Sequence, residues 1–382
     1  MPIAFFVSRI LNLTTLFLFI NLLTPCSAVA EATSINKKWE IVGQTVYGKR
    51  VLDHSLAIDK KGSHYVAYSD LNTIYVKRFD GKQWNQIGSS FGSFASHVSS
   101  GSLAFDTHDT PWVIYDDGSP AIAVMKLIEG QWTQIGDILS NETGFGEGLA
   151  IDSNDTPYVV FQNSDKDFQF ILVTVKKFDG MKWVPVGKEK FLEVWGLFAK
   201  SLVVDTLHTP YLGYVDKNHQ LKVIKFDGQQ WVAIGKGLPE SWVQTGECNL
   251  VIDTKNTLYI SFIDTTHGSK PTVMKFDGEQ WVIVGEPGFT DAKPGCVGYA
   301  SCGSLALDAN GMPYFAYNDF IAGYRTSVMK FNGSEWKIVG APGFTDSGAV
   351  YEKLFIDPST QQPCVAYVFD NQNGMVSCYN SF

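Results

Sequence analysis

Residues 272–285 read TVMKFDGEQWVIVG, and close copies of this stretch recur along the whole chain. They stand as VKRFDGKQWNQIG (76–88), VMKLIEGQWTQIG (124–136), VKKFDGMKWVPVG (175–187), VIKFDGQQWVAIG (223–235) and VMKFNGSEWKIVG (328–340), with a truncated KKWEIVG at 37–43. The seven tryptophans Trp39, Trp84, Trp132, Trp183, Trp231, Trp281 and Trp336 are 45, 48, 51, 48, 50 and 55 residues apart. A fixed period in this range marks a repeat architecture. Within each copy, Asp-Gly or a variant divides two short apolar runs; both turn residues accept positive φ, so the copy reads as a β-hairpin.

A second repeated line lies between the tryptophans. Its seven copies include SLAIDKKGSHYVAYSD (55–70), SLAFDTHDTPWVIYDD (102–117), SLALDANGMPYFAYND (304–319) and KLFIDPSTQQPCVAYVFD (353–370). Each splits into two runs rich in β-branched and aromatic residues around a polar turn, as paired strands do. Two lines together give four antiparallel strands, A to D, in about 50 residues. Units of this kind, without helical periodicity between them, predict an all-β chain, a β-propeller. An open stack would instead expose two sheet edges.

The ends of the chain are complementary. Residues 38–43 form a D strand with no A, B or C before it. The last unit has A (354–357), B (364–369) and C (375–380) and no D. The spacing therefore predicts a seven-bladed ring closed as three strands plus one, with 38–43 pairing near Val376 to Tyr379. A buried tryptophan removes roughly 150–250 Å² from water, worth about 4–6 kcal/mol as an upper bound. Seven of them wedged between blades would hold the ring together. The Asp after each A strand, from Asp59 to Asp357, reads as a turn residue bonding its own backbone.

Composition narrows the partners. The 382 residues carry 45% hydrophobic and 14% aromatic side chains, ample for a large core. The formal charge is −9, and −10 without residues 1–30, where Arg9 is the only charge. Such an acidic chain disfavours nucleic acid and anionic membranes. Residues 1–30 read as a secretory signal peptide: a basic start, an apolar run from Ile10 to Leu23, then Ala28-Val29-Ala30 before Glu31. That run is too short for a membrane span. The expectation is an exported, monomeric, single-domain protein over 31–382, extracellular or periplasmic. Export permits disulfides, and Cys296–Cys302 and Cys364–Cys378 are the expected pairs, with Cys248 left over. No cysteine or histidine spacing suggests a metal site.

For a binding site, the A–B and C–D loops are short and uniform, whereas the B–C and D–A loops vary, and variable loops on a rigid scaffold carry binding. The D–A loops hold Phe191, Trp195 and Trp242 outside the repeat pattern, and the longest, 286–304, holds Tyr299. Exposed aromatics there would stack on sugar rings or anchor a partner protein. Asp70, Asp117, Asp216, Asp264 and Asp319 end successive B strands, with Asn163 in the same position. A ring of carboxylates on this face can bind sugar hydroxyls or Ca²⁺, although no cofactor is required. Catalysis has little support, because no nucleophile motif, paired carboxylates or arginine cluster stands out.

The series SLAxD, TPYVAYxD and VMKFDGxxWxxVG over 38–382 resembles the tandem propeller repeats of secreted bacterial proteins in the sialidase-like and kelch-like group. The resemblance implies a secreted propeller and leaves its activity open, since this fold hosts enzymes, lectins and scaffolds alike. The expected function is recognition of a glycan or an extracellular protein through the variable face. The rival expectation is an enzyme acting on polysaccharide with Asp or Glu on that same face.

Overall fold

The computed structural model describes residues 38–380 apart from 48–50, 52–53, 71–72, 94–95, 100, 118–120, 141, 143, 165–170, 199–200, 242, 244–247, 292–302 and 370–372. Every strand pair is antiparallel and the sheets follow chain order. Blade 1 comprises β2 (His54–Ile58), β3 (His64–Ser69), β4 (Ile74–Phe79) and β5 (Trp84–Gln86). Blade 2 comprises β6 (Leu103–Phe105), β7 (Pro111–Asp116), β8 (Ile122–Ile128) and β9 (Gln131–Gln134). Blade 3 comprises β10 (Gly144–Ile151), β11 (Pro157–Ser164), β12 (Ile171–Phe178) and β13 (Trp183–Pro185). A fifth strand, β14 (Leu192–Val194), pairs with the upper half of β12, an addition the repeats do not announce.

Blade 4 is β15 (Leu202–Val204), β16 (Pro210–Val215), β17 (Leu221–Phe226) and β18 (Trp231–Ala233). Blade 5 is β19 (Asn249–Ile252), β20 (Leu258–Asp264), β21 (Lys270–Phe276) and β22 (Trp281–Ile283). Blade 6 is β23 (Ser304–Leu307), β24 (Pro313–Asp319), β25 (Arg325–Phe331) and β26 (Trp336–Ile338). Blade 7 takes β27 (Ala349–Ile356), β28 (Pro363–Phe369) and β29 (Gly374–Asn380) from the end of the chain and β1 (Lys38–Ile41) from its start. Lys38 faces Asn380, Trp39 faces Tyr379, Glu40 faces Cys378 and Ile41 faces Ser377, so the ring closes in the expected register. The chain is a seven-bladed β-propeller.

Alternate side chains of a strand point to opposite sheet faces. Here both faces are covered by neighbouring blades, and the buried residues fall into seven clusters, one per seam. In blade 1, Leu56 and Val66 pack toward blade 7, while Ala57, Tyr65 and Ala67 pack toward blade 2. That is why the second strands read as continuous apolar runs rather than alternating ones.

The tryptophan motif is a seam device at the rim. Each indole Nε1 donates to a main-chain carbonyl of the preceding blade. Trp39 bonds Val339, Trp84 bonds Val42, Trp132 bonds Ile87 and Trp183 bonds Ile135. Trp231, Trp281 and Trp336 bond Val186, Ile234 and Val284 in the same way. The glycine after that carbonyl has positive φ, and its bare Cα lies under the next indole: a Cβ on Gly285 would sit 3.0 Å from Trp336 Cδ1. This accounts for the apolar-Gly ending of every copy. Only Trp281 and Trp336 are buried; the other five are half-buried, because strand D is outermost. Full burial is therefore the wrong measure for most of them.

The Asp after each first strand closes the A–B turn as expected. Asp205 Oδ1 accepts the amides of Leu207 and Thr209 at 2.9 and 2.8 Å, and Asp59, Asp106, Asp152, Asp253 and Asp308 repeat the pattern.

Blade 7 departs from the others in one cross-strand pair. An aromatic residue on the second strand faces a cation on the third in Tyr65–Arg78, Trp112–Lys126, Tyr158–Lys177, Tyr211–Lys225, Tyr259–Lys275 and Tyr314–Lys330. The same position in blade 7 is the disulfide Cys364–Cys378. Cys248 is buried in the seam between blades 4 and 5, and the expected Cys296–Cys302 pair lies outside the described residues.

Candidate functional site

Antiparallel strands put the A–B and C–D turns on one face of the ring and the B–C and D–A loops on the other. Two groups of side chains stand out on the second, loop-rich face.

The first lies between blades 3 and 4. β14 carries the chain to Trp195, whose amide donates to Val215 O at 3.0 Å and so fixes the loop on β16. The indole is 55% exposed, the most exposed tryptophan among the described residues. It lies 4.3 Å from the ring of His219, centroid to centroid. His219 sits at φ +61 in the turn after β16, which Asp216 holds by accepting the amides of Asn218 and Gln220, both at 2.9 Å. Beside them Lys217 Nζ reaches Glu193 at 2.7 Å, linking the D–A loop to the B–C turn. The result is an aromatic surface flanked by an amide, an ammonium and carboxylates. Phe191, four residues earlier, is placed differently: it stacks on Trp231, with centroids 5.2 Å apart and planes at 7°. Phe289 on Trp336 and Phe344 on Trp39 do the same. Trp242 and Tyr299 lie outside the described residues.

The second group belongs to blade 6. Phe320, Ile321 and Tyr324 are 51%, 67% and 42% exposed in the loop between β24 and β25. Of these, Ile321 lines a hollow of about 580 Å³ together with Asp291, Asp319, Arg325 and Pro342, while Phe320 and Tyr324 pack edge to face with each other, centroids 5.2 Å apart. Sequence reading named Asp319 here and overlooked the aromatics, although FIAGY at 320–324 matches nothing in the other repeats.

The acidic residues at the ends of the second strands are bonded within their own blades. Asp70 and Asp117 begin turns through their amides, to Thr73 O and Ala121 O. Asp264 accepts from Thr266 Oγ1 at 2.6 Å and lies 2.8 Å from His267 Nδ1. Burial pushes the Asp264 carboxyl up, but those bonds outweigh it and hold its pKa below the usual range. Asp319 accepts from Ser327 Oγ at 2.7 Å and from Tyr317. Asn163 donates to Ser140 Oγ at 3.0 Å.

Beneath this face, between blades 6 and 7, lies a buried carboxyl. A bulge in β27 between Val350 and Lys353 brings Glu352 to 0% exposure. Its Oε1 accepts from Thr326 Oγ1 at 3.3 Å, and its Oε2 has no hydrogen-bond partner among the described residues. Burial pushes the carboxyl up to about 7. Nearby, burial and then the charge of Lys353 hold the His54 imidazole down to about 3. The first strands of blades 2 to 7 also line an open hollow of about 370 Å³ whose wall is mostly apolar, with Leu103, Leu202, Leu250, Leu305 and Leu354 along it.

No family model matches the chain, and no curated protein matches it by sequence. Solved structures do match in shape. A catalytically inactive variant of virginiamycin B lyase from Staphylococcus aureus, with quinupristin, has a TM-score of 0.60 at 9% identity, covering 90% of this chain and 100% of that one. An oligogalacturonate lyase from Vibrio parahaemolyticus has a TM-score of 0.55 at 9% identity, over 91% and 97%. SapL1 lectin in complex with alpha methyl fucoside has a TM-score of 0.50 at 12% identity, over 79% and 99%. At these identities the likeness is one of fold, and the fold serves lyases and a lectin alike. Among the described residues, no helix is long and apolar enough to cross a membrane.

Proposed function

We propose that this chain is an exported binding protein that recognises a glycan through its loop-rich face, with Trp195 as the stacking surface. One observation carries the reading: a tryptophan outside the repeat is 55% exposed on a loop bonded to the neighbouring blade. An apolar ring of that size held in water favours a flat, partly apolar ligand, and sugars present such faces. Lys217, Glu193, Asn218 and His219 surround it with donors and acceptors for hydroxyls. The second aromatic group, Phe320 and Tyr324 beside Asp319 and Arg325, offers the same chemistry on blade 6. Asp70, Asp117, Asp216 and Asp264 support this face by fixing its turns, whether or not a Ca²⁺ ion joins them.

Binding is preferred to turnover on polysaccharide for a physical reason. A general acid needs a raised pKa together with access to substrate. Glu352 has the first and is sealed from solvent. The test is a glycan array followed by calorimetry on the strongest hit. Trp195→Ala should weaken binding at least tenfold and leave the melting temperature within about 1 °C of the parent. Unchanged binding, or turnover of the hit abolished by one carboxylate substitution, would overturn the proposal.

A further inference from the structure

The seam between blades 7 and 1 differs from the other six at two facing positions. One is the Cys364–Cys378 pair, standing where every other blade has an aromatic facing a cation. The other is His64, which begins the second strand of blade 1. The equivalent residue is Pro111, Pro157, Pro210, Leu258, Pro313 or Pro363 in the remaining blades. An apolar residue therefore suffices at this place, and it becomes histidine only where the neighbouring blade carries cysteines. His64 Nε2 lies 3.4 Å from Cys364 Sγ and 3.3 Å from Cys378 Sγ. The three donor atoms lie within 4.8 Å of one another.

We propose that this seam is a redox-gated site for a thiophilic divalent cation of the Zn²⁺ type, with Cys364, Cys378 and His64 as ligands. Two thiolates and an imidazole are the donor set such an ion selects. With Zn–S near 2.3 Å and Zn–N near 2.0–2.1 Å, a tetrahedral centre places nitrogen and sulfur roughly 3.5 Å apart. The imidazole already stands within a few tenths of an ångström of that spacing, so only the sulfurs have to part. The chemistry balances as follows. A dithiol reductant gives two electrons and two protons to the disulfide, becoming a disulfide itself and leaving two protein thiols. The ion then displaces both thiol protons to solvent, and two thiolates with one neutral imidazole compensate its charge. Three protein ligands leave a fourth position to water. Oxidised, a covalent bond holds β28 to β29; reduced and loaded, the ion also ties both strands to blade 1.

The test uses the full mature chain with Cys248→Ser, Cys296→Ser and Cys302→Ser, so that no other thiol competes. The protein is reduced with excess dithiothreitol, freed of it by anaerobic gel filtration, and titrated with Co²⁺. The expected result is the charge-transfer and d–d absorption of tetrahedral thiolate-bound cobalt, saturating at one ion per chain and displaced by Zn²⁺. The oxidised protein should show none. His64→Ala leaves the cysteines intact and should weaken cobalt binding at least tenfold, while His64→Cys should restore it. The proposal is overturned if the reduced chain binds no cobalt, if reduction unfolds it, or if His64→Ala binds as tightly as the parent.

Discussion

The Glu352→Gln substitution probes the polar group buried under the loop-rich face. In the unfolded chain this carboxyl titrates near 4.5, and in the folded protein near 7. Between those values the unfolded chain releases the proton and the folded one keeps it. The unfolded state then binds fewer protons, so stability falls as pH rises through the window and levels off above it. At 1.36 kcal/mol per pH unit, the full loss is about 3 kcal/mol. Glutamine cannot ionise and escapes it.

His54 works in the opposite sense. Its pKa is lowered from 6.5 to about 3, so its share of stability is lost as pH falls below 6.5. In the parent the two groups oppose each other between 4.5 and 6.5. In the variant the Glu352 slope is gone, the slope of His54 remains together with that of His64, which burial also holds down, and stability should climb with pH there. Urea unfolding followed by tryptophan fluorescence, at steps from about pH 4 to 8, measures both curves. The difference, variant minus parent, should be flat below about pH 4.5 and then grow by roughly 1.4 kcal/mol per pH unit to about 3 kcal/mol. Parallel curves across the range would refute the assignment of a buried, mostly protonated carboxyl.

Three further outcomes are expected. Trp39→Ala removes the indole bond to Val339 and the stacking on Phe344, and should lower the unfolding free energy by about 3 kcal/mol in urea titrations. Phe191→Ala should lower the melting temperature clearly, because its ring rests on Trp231, whereas Trp195→Ala should not. Gly285→Ala and Gly268→Ala both place alanine at φ +75, but only the first drives a methyl against Phe331 and Trp336. Gly268→Ala should cost about 1 kcal/mol and Gly285→Ala about twice that, as measured by denaturant midpoints.

Most of the ring was legible because its rules are local and repeat. The Asp-Gly turn or its variant recurs six times, the Asp after each first strand and the Trp-to-Gly spacing seven times each, and the missing fourth strand of blade 7 named its own replacement. The pairing of Cys364 with Cys378 was legible for the same reason, as adjacent strands of one hairpin. What escaped depends on single events. The bulge that buries Glu352 leaves no periodic trace. Phe191 and Trp195 look alike as aromatics in one variable loop, yet one stacks on the next blade's indole and the other faces solvent; four residues of loop geometry decide between them. The half-burial of five tryptophans follows from their place on the outermost strand, which the repeat does not weight against the inner ones.

The pairing of β1 with β29 also dictates an order of events during folding. The segment 38–41 has no partner until residues 377–380 have been made, so it must wait while the rest of the chain is assembled. Bringing together ends separated by about 340 residues costs roughly 5 kcal/mol of loop-closure entropy if nothing between them is folded, and far less once the first six blades have drawn them close. Blade 7 is therefore completed last, and until then its third strand offers an open edge to any passing β-strand. The Cys364–Cys378 disulfide ties β28 to β29, so the strand that bears this edge is held covalently to its neighbour even while β1 is undocked.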